Sequence, residues 1–366
     1  MKFMRVAWAA LLILGAAGCA VTPQTKQSLS NYTLAMTQVE QSADMFLTDF
    51  SNGLKVQAEL SRLGGAAPPP KPDFPQTLQL PDDGSTPPSP AEERIQQTRQ
   101  ALAVVHAYNQ ALVALAEGRP EGEIREGLLG LGAELQTLAS VAGVAFPPFA
   151  PFVGIGAEII QLAQDAANRK QFEQAVLKGR DPVHEILKTL AQQAPAMYRL
   201  SVVGTQQAQD RIRDETRRTA SAMKGLVARS GPPTDPAVIS SVAADQAVLS
   251  AIGRKTNTLA AMPVPYPYLA GKPPYDAATD RQTQIFIRSI AVSAQKNDEL
   301  IAKQNAYHAM LVKYVELLKR TGEALDELAR SLSAPVDLHA EISQLLRTAF
   351  ALRDAMNEYR HPAATS

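Results

Sequence analysis

Proline placement limits this chain more than any other feature. Of its 26 prolines, nine lie in 68–90, three in 147–151, three in 232–236 and five in 263–274. Proline lacks a backbone N–H and its ring clashes with the preceding helical turn, so it ends or bends helices and stays out of central strands. Clustering leaves long stretches free for uninterrupted elements. In those stretches apolar residues recur at intervals of three and four, while Val, Ile and Thr never group into alternating runs. That spacing belongs to helices packed along a seam, not to a sheet of period two. The chain is therefore expected to be all-α, an elongated bundle of long antiparallel helices with coiled-coil-like packing and Pro-rich connectors.

The stripes locate the helices. Leu29, Tyr32, Met36, Val39, Ala43, Phe46 and Phe50 mark a first helix over about 25–63, stopped by Gly64-Gly65. A second over 91–117 turns Ile95, Leu102, Val105 and Leu112 inward. A third from Pro120 carries Ile124, Leu128, Leu131, Leu135 and Leu138. Asp181-Pro182 reads as the N-cap and first position of a segment reaching about 229, kinked at Pro195. Further helices are expected over 236–261, over 281–333 (Ile287, Ile290, Ala294, Ile301, Leu311, Val315, Leu318, Leu325, Leu332), and from Pro335 to Arg360.

Composition narrows the function classes. With 366 residues, 45% apolar and 20% charged, the chain can bury a sizeable core. Its 36 basic and 36 acidic side chains give no net signature of nucleic-acid binding, and no nucleic acid is expected as a partner. The single cysteine excludes an intramolecular disulfide or a zinc finger.

That cysteine stands at an informative place. Lys2 and Arg5 precede an apolar run, Val6 to Ala17, which ends in Ala16-Ala17-Gly18-Cys19. The run is shorter than the ~20 residues of a membrane span and suits a signal-peptide core. Together these residues resemble the signal peptide and lipobox of bacterial lipoprotein precursors, with Ala16 where leucine is commonest. The resemblance covers only the first 20 residues. It implies that residues 1–18 are a signal peptide and that Cys19 is the lipid-attachment residue. It also implies a mature chain held to the membrane by N-terminal acyl chains, palmitate among them. Ala20, where aspartate would favour inner-membrane retention, points to the inner leaflet of the outer membrane, facing the periplasm, if the host is Gram-negative. Losing Lys2 and Arg5 leaves acidic residues in slight excess, so acyl chains rather than a polybasic patch would supply the membrane affinity. After an acylated tether at 19–28, the bundle is expected over 29–360. It includes a mobile Pro-rich connector at 64–90, an apolar helical hairpin at 128–163 and a Pro/Tyr-rich loop at 262–280. A disordered tail follows at 361–366.

No catalytic constellation stands out. His106, His184, His308, His339 and His361 share no metal-ligand spacing, and there is no nucleophile elbow, phosphate loop or zinc-protease motif. No catalytic residue, metal or cofactor is therefore expected. Asp181 reads as a cap, His308 as a buried, hydrogen-bonded histidine, and Asp326-Glu327 as a solvated pair. Arg211, Arg213, Arg217 and Arg218 interleave with Asp210, Asp214 and Glu215 as an ion-paired surface.

Two segments are less routine. The 128–163 stretch is apolar on both sides of Phe146, Phe149 and Phe152. It reads as a hairpin packed on all faces inside the bundle, or as a membrane-inserting or partner-binding element. The loop bearing Tyr266, Tyr268 and Tyr275 makes a stiff aromatic strap, packed on its own bundle or against a partner. The expected function is that of a lipid-anchored envelope protein, not an enzyme, with a structural or protein-interaction role and an envelope protein as partner. The alternative is a membrane-active or pore-forming helical protein using the hairpin.

Overall fold

The computed structural model describes residues 31–48, 92–116, 119–142, 169–256, 275–333 and 339–360, with isolated positions at 51, 75, 77–78, 157–158, 160–161 and 164–165. The described elements are α-helices: α1 (31–48), α2 (Glu92–Ala116), α3 (Glu121–Ala142), α4 (Arg169–Val227), α5 (Pro236–Thr256), α6 (Ala277–Ser333) and α7 (His339–Arg360). No strand is found among the described residues, so the chain is an all-α bundle.

The helices divide into two compact units. The first holds α1, α2, α3, α4 up to Tyr198, α6 from His308, and α7; the second holds α4 from Arg199, α5, and α6 up to Tyr307. In the first unit the expected stripe of α1 is the buried one, with Tyr32, Met36, Val39, Ala43 and Phe46 all at most 4% exposed. Phe46 packs at a tilt on Tyr314 of α6, their ring centroids 4.9 Å apart. Ser42 donates to the Met356 sulfur of α7 at 3.0 Å. Helices α2 and α3 are joined by four residues and pack together, burying Leu102, Val105 and Leu112 on one and Ile124, Leu128 and Leu131 on the other.

Helix α4 departs from expectation. It begins at Arg169 and runs through both Pro182 and Pro195, so Asp181 is an interior residue and not an N-cap. Each interior proline costs about 3 kcal/mol. Val183, Ile186, Leu187 and Leu190 are at most 3% exposed on one face of the same helix. At about 1.5–3 kcal/mol for each buried aliphatic side chain, that face outweighs the two prolines.

In the second unit, α4, α5 and α6 enclose a cluster of Ala220, Met223, Leu249, Ile287 and Ile290, and a second of Val227, Val238, Val242 and Tyr275. Asp235 caps α5 by accepting from the Ala237 N–H at 2.8 Å, with Pro236 in the first helical position. Asp276 does the same for α6 through the Thr279 N–H at 2.8 Å. Helix α6 therefore starts at Ala277, inside the loop expected to extend to 280. Between α4 and α6 the seam turns polar, with Ser201 and Thr205 both donating to Gln304 Oε1 at 2.8 Å.

Candidate interaction groove

Three helices of the first unit line an open groove of about 880 Å³. Helical periodicity places its residues. Glu40, Asp44 and Leu47 follow one face of α1, and Arg99, Leu102, Ala103, His106, Ala107 and Gln110 one face of α2. Glu123, Glu126, Gly127, Gly130 and Glu134 follow one face of α3. The floor is apolar and small, and a Cβ built on Gly127 or Gly130 would meet nothing within 4 Å. The rim is acidic, with five carboxylates against Arg99 and His106.

The rim contacts are specific. Arg99 Nη2 stands 3.4 Å from Asp44 Oδ1 and donates to Thr48 Oγ1 at 3.4 Å. Gln100 Nε2 donates to Glu134. His106 Nδ1 is bonded to Glu40, while Gln110 Nε2 lies 2.5 Å from His106 Nε2. The Glu40 carboxylate favours the charged imidazole and holds its pKa above the usual value, against an opposing effect of burial. Glu123 and Glu126 are exposed and make no ion pair among the described residues. The groove thus keeps an excess of negative charge beside an apolar floor, which suits a cationic amphipathic partner.

A second polar cluster lies in the same unit. His184 Nε2 is 3.1 Å from Asp326 Oδ1, Arg180 Nε is 3.6 Å from the same oxygen, and Arg180 Nη2 is 3.0 Å from Asp181. Asp326 is thus the centre of a cross-helix cluster rather than a merely solvated residue. The other edge of the His184 ring is pressed on Gly322, where an added Cβ would stand 2.9 Å from Cε1 and 3.1 Å from Nδ1. This histidine, its side chain one-third exposed, links α4 to α6.

The residues singled out from the sequence fare unequally. Cys19, Phe146, Phe149, Phe152, Tyr266 and Tyr268 lie outside the described residues, as does the tail. Tyr275 is buried within the second unit: it is 1% exposed, and its hydroxyl donates to Asp280 at 3.4 Å. Burial pushes its pKa up to about 12. Within the expected connector, Leu78 is buried. Of the segment expected to form the hairpin, the described part of α3 has Leu128, Leu131 and Leu135 buried and Gly130, Ala133, Gln136 and Thr137 exposed. Among the described residues no helix is long and apolar enough to cross a membrane.

His308 is half-buried rather than fully enclosed. Its ring meets Tyr198 edge-on with centroids 5.1 Å apart, and burial lowers its pKa. Of the interleaved charges on α4, Arg213 pairs with Asp210 at 3.3 Å and Arg217 with Asp214 at 3.1 Å. Sequence reasoning missed the groove, because Glu40 and His106 are 66 residues apart. The available signal was the run Glu123, Glu126, Glu134 along one face of α3, beside its buried leucines. No family model, curated protein or solved structure matches the chain.

Proposed function

We propose that the chain is a lipid-anchored envelope protein of the periplasm, with a structural or protein-interaction role exercised by its helical scaffold. The observation that carries this reading is the apolar run ending in Ala16-Ala17-Gly18-Cys19. The thiol after that tripeptide is the acceptor for the lipid, and two or three acyl chains, each methylene contributing ~0.8 kcal/mol, hold a chain firmly. The α1/α2/α3 groove supports the interaction half of the reading. An acidic rim over a floor of leucine, alanine and glycine can seat a basic amphipathic helix. The partner is accordingly a protein segment with apolar residues and Lys or Arg on one face.

Metabolic labelling with a tagged fatty acid tests the anchor. Label is expected on the wild-type chain and not on Cys19→Ala, which should also keep its signal peptide. Equal label on both would refute the assignment.

A further inference from the structure

The partner face that the groove calls for is present on the chain itself. In the second unit, Arg281, Ile285, Arg288, Val292 and Lys296 follow one another on α6 at intervals of four, three, four and four, so they share one face. All five are exposed, Ile285 at 58% and Val292 at 51%, the two most exposed of the large aliphatic side chains among the described residues. Arg281, Arg288 and Lys296 make no ion pair among the described residues. The stripe is therefore an unpartnered amphipathic face, apolar along its centre and basic at its flanks.

We propose that the groove of the first unit receives the α6 stripe of a second copy of this chain. The proposal rests on the interaction reading above and names the partner. Four observations favour a second copy. The chemistry is complementary in both respects, acidic rim to basic flanks and small apolar floor to Ile285 and Val292. Gly127, Gly130, Ala103 and Ala107 leave a helix backbone room to approach closely. The groove is long enough to seat most of the stripe, because the α3 wall from Glu123 to Glu134 runs roughly 16 Å along a stripe of roughly 22 Å at ~1.5 Å per residue. Finally, the chain is neutral overall, with 36 charges of each sign, yet these two surfaces carry opposite excesses. Groove against groove or stripe against stripe would set like charges together, so the contact joins unlike surfaces. A contact of that kind closes into a ring or propagates as a filament.

The test is sedimentation velocity on the full chain in mild detergent. Loading runs from about 1 to about 100 μM, at about 0.05 and about 0.5 M salt. Concentration-dependent association is expected, weakened roughly tenfold by the higher salt. A stripe-reversed chain (Arg281→Glu, Arg288→Glu, Lys296→Glu) and a groove-reversed chain (Glu123→Lys, Glu126→Lys) should each stay monomeric. Every substituted residue is exposed, so both chains should keep the wild-type helical spectrum. Mixed together, the two should associate, because the unchanged basic stripe of the groove-reversed chain meets the unchanged acidic groove of the stripe-reversed chain. As a second probe, Ile285→Ser with Val292→Ser should weaken association at both salt concentrations. Monomers throughout, association unchanged by reversal, or no recovery on mixing would each overturn the proposal. None of these outcomes bears on the fatty-acid labelling, so failure here is separable from failure of the anchored reading.

Discussion

Single side chains carry the clearest electrostatic consequence at His106. Its pKa is raised by Glu40, so the folded chain binds that proton more tightly than the unfolded chain does. The resulting stability is fully present below about pH 6.5 and is lost as the pH rises through the folded value. Glu40→Gln should therefore lower the urea midpoint at about pH 5.5 and change it little at about pH 8.5. A shift of equal size at both would show that Glu40 acts through packing alone. Gly322 gives a steric counterpart. His184 is held by Asp326 at 3.1 Å, so its ring cannot retreat from a new Cβ without giving up that bond. Gly322→Ala should cost about 1–3 kcal/mol, read from the denaturation midpoint. No measurable cost would mean that the ring turns aside freely.

Elements show where local sequence signals lose to packing. Asp-Pro in an otherwise helical pattern has the form of a cap and first helical residue, and the pattern alone offers no reason to continue through it. The structure continues because the face bearing Val183, Ile186, Leu187 and Leu190 is buried against the rest of the first unit. The two arrangements make opposite predictions. In a continuous helix Asp181→Ala should change stability by less than about 0.5 kcal/mol, since its pair with Arg180 is exposed. Pro182→Ala should stabilise by on the order of 1 kcal/mol or more, as the interior penalty is relieved. Were Asp181 a cap, its removal would cost about 1 kcal/mol and Pro182→Ala would be close to neutral. Urea denaturation of the two variants separates these cases.

The apolar stripes themselves were readable, from Tyr32 to Phe46 and from Ile342 to Met356, because helical periodicity is a local property. The apolar pattern alone puts the start of α6 four residues late, since Asp276 caps it from within a segment that reads as loop. In the sequence Tyr275 reads as the last ring of a strap, because it follows alternating prolines and tyrosines. Its actual place, against Val227, Val238 and Val242, depends on residues up to 48 positions away. The groove was hidden for the same reason: three helices meet there, and no one of them carries its chemistry alone.

At the scale of the whole molecule the fold reading is direct to check. Far-UV circular dichroism should show a predominantly helical spectrum, and a strand content near the globular average of ~20–25% would contradict it. The charge balance bears on the anchor. If residues 1–18 are removed as proposed, Lys2 and Arg5 go with them and acidic residues are left in slight excess, so the net charge supplies no attraction to an anionic membrane surface. Acyl chains hold through apolar burial, which salt does not weaken, whereas a peripheral electrostatic attachment fades once the Debye length shrinks to ~3 Å at 1 M. The most direct test is therefore extraction of isolated membranes with about 1 M salt, followed by detergent, for the wild-type chain and Cys19→Ala. The wild-type chain should remain in the membrane pellet through the salt wash and leave it only in detergent, and the variant should not show that lipid-dependent pattern. Release of the wild-type chain by salt alone would contradict the lipid-anchored account.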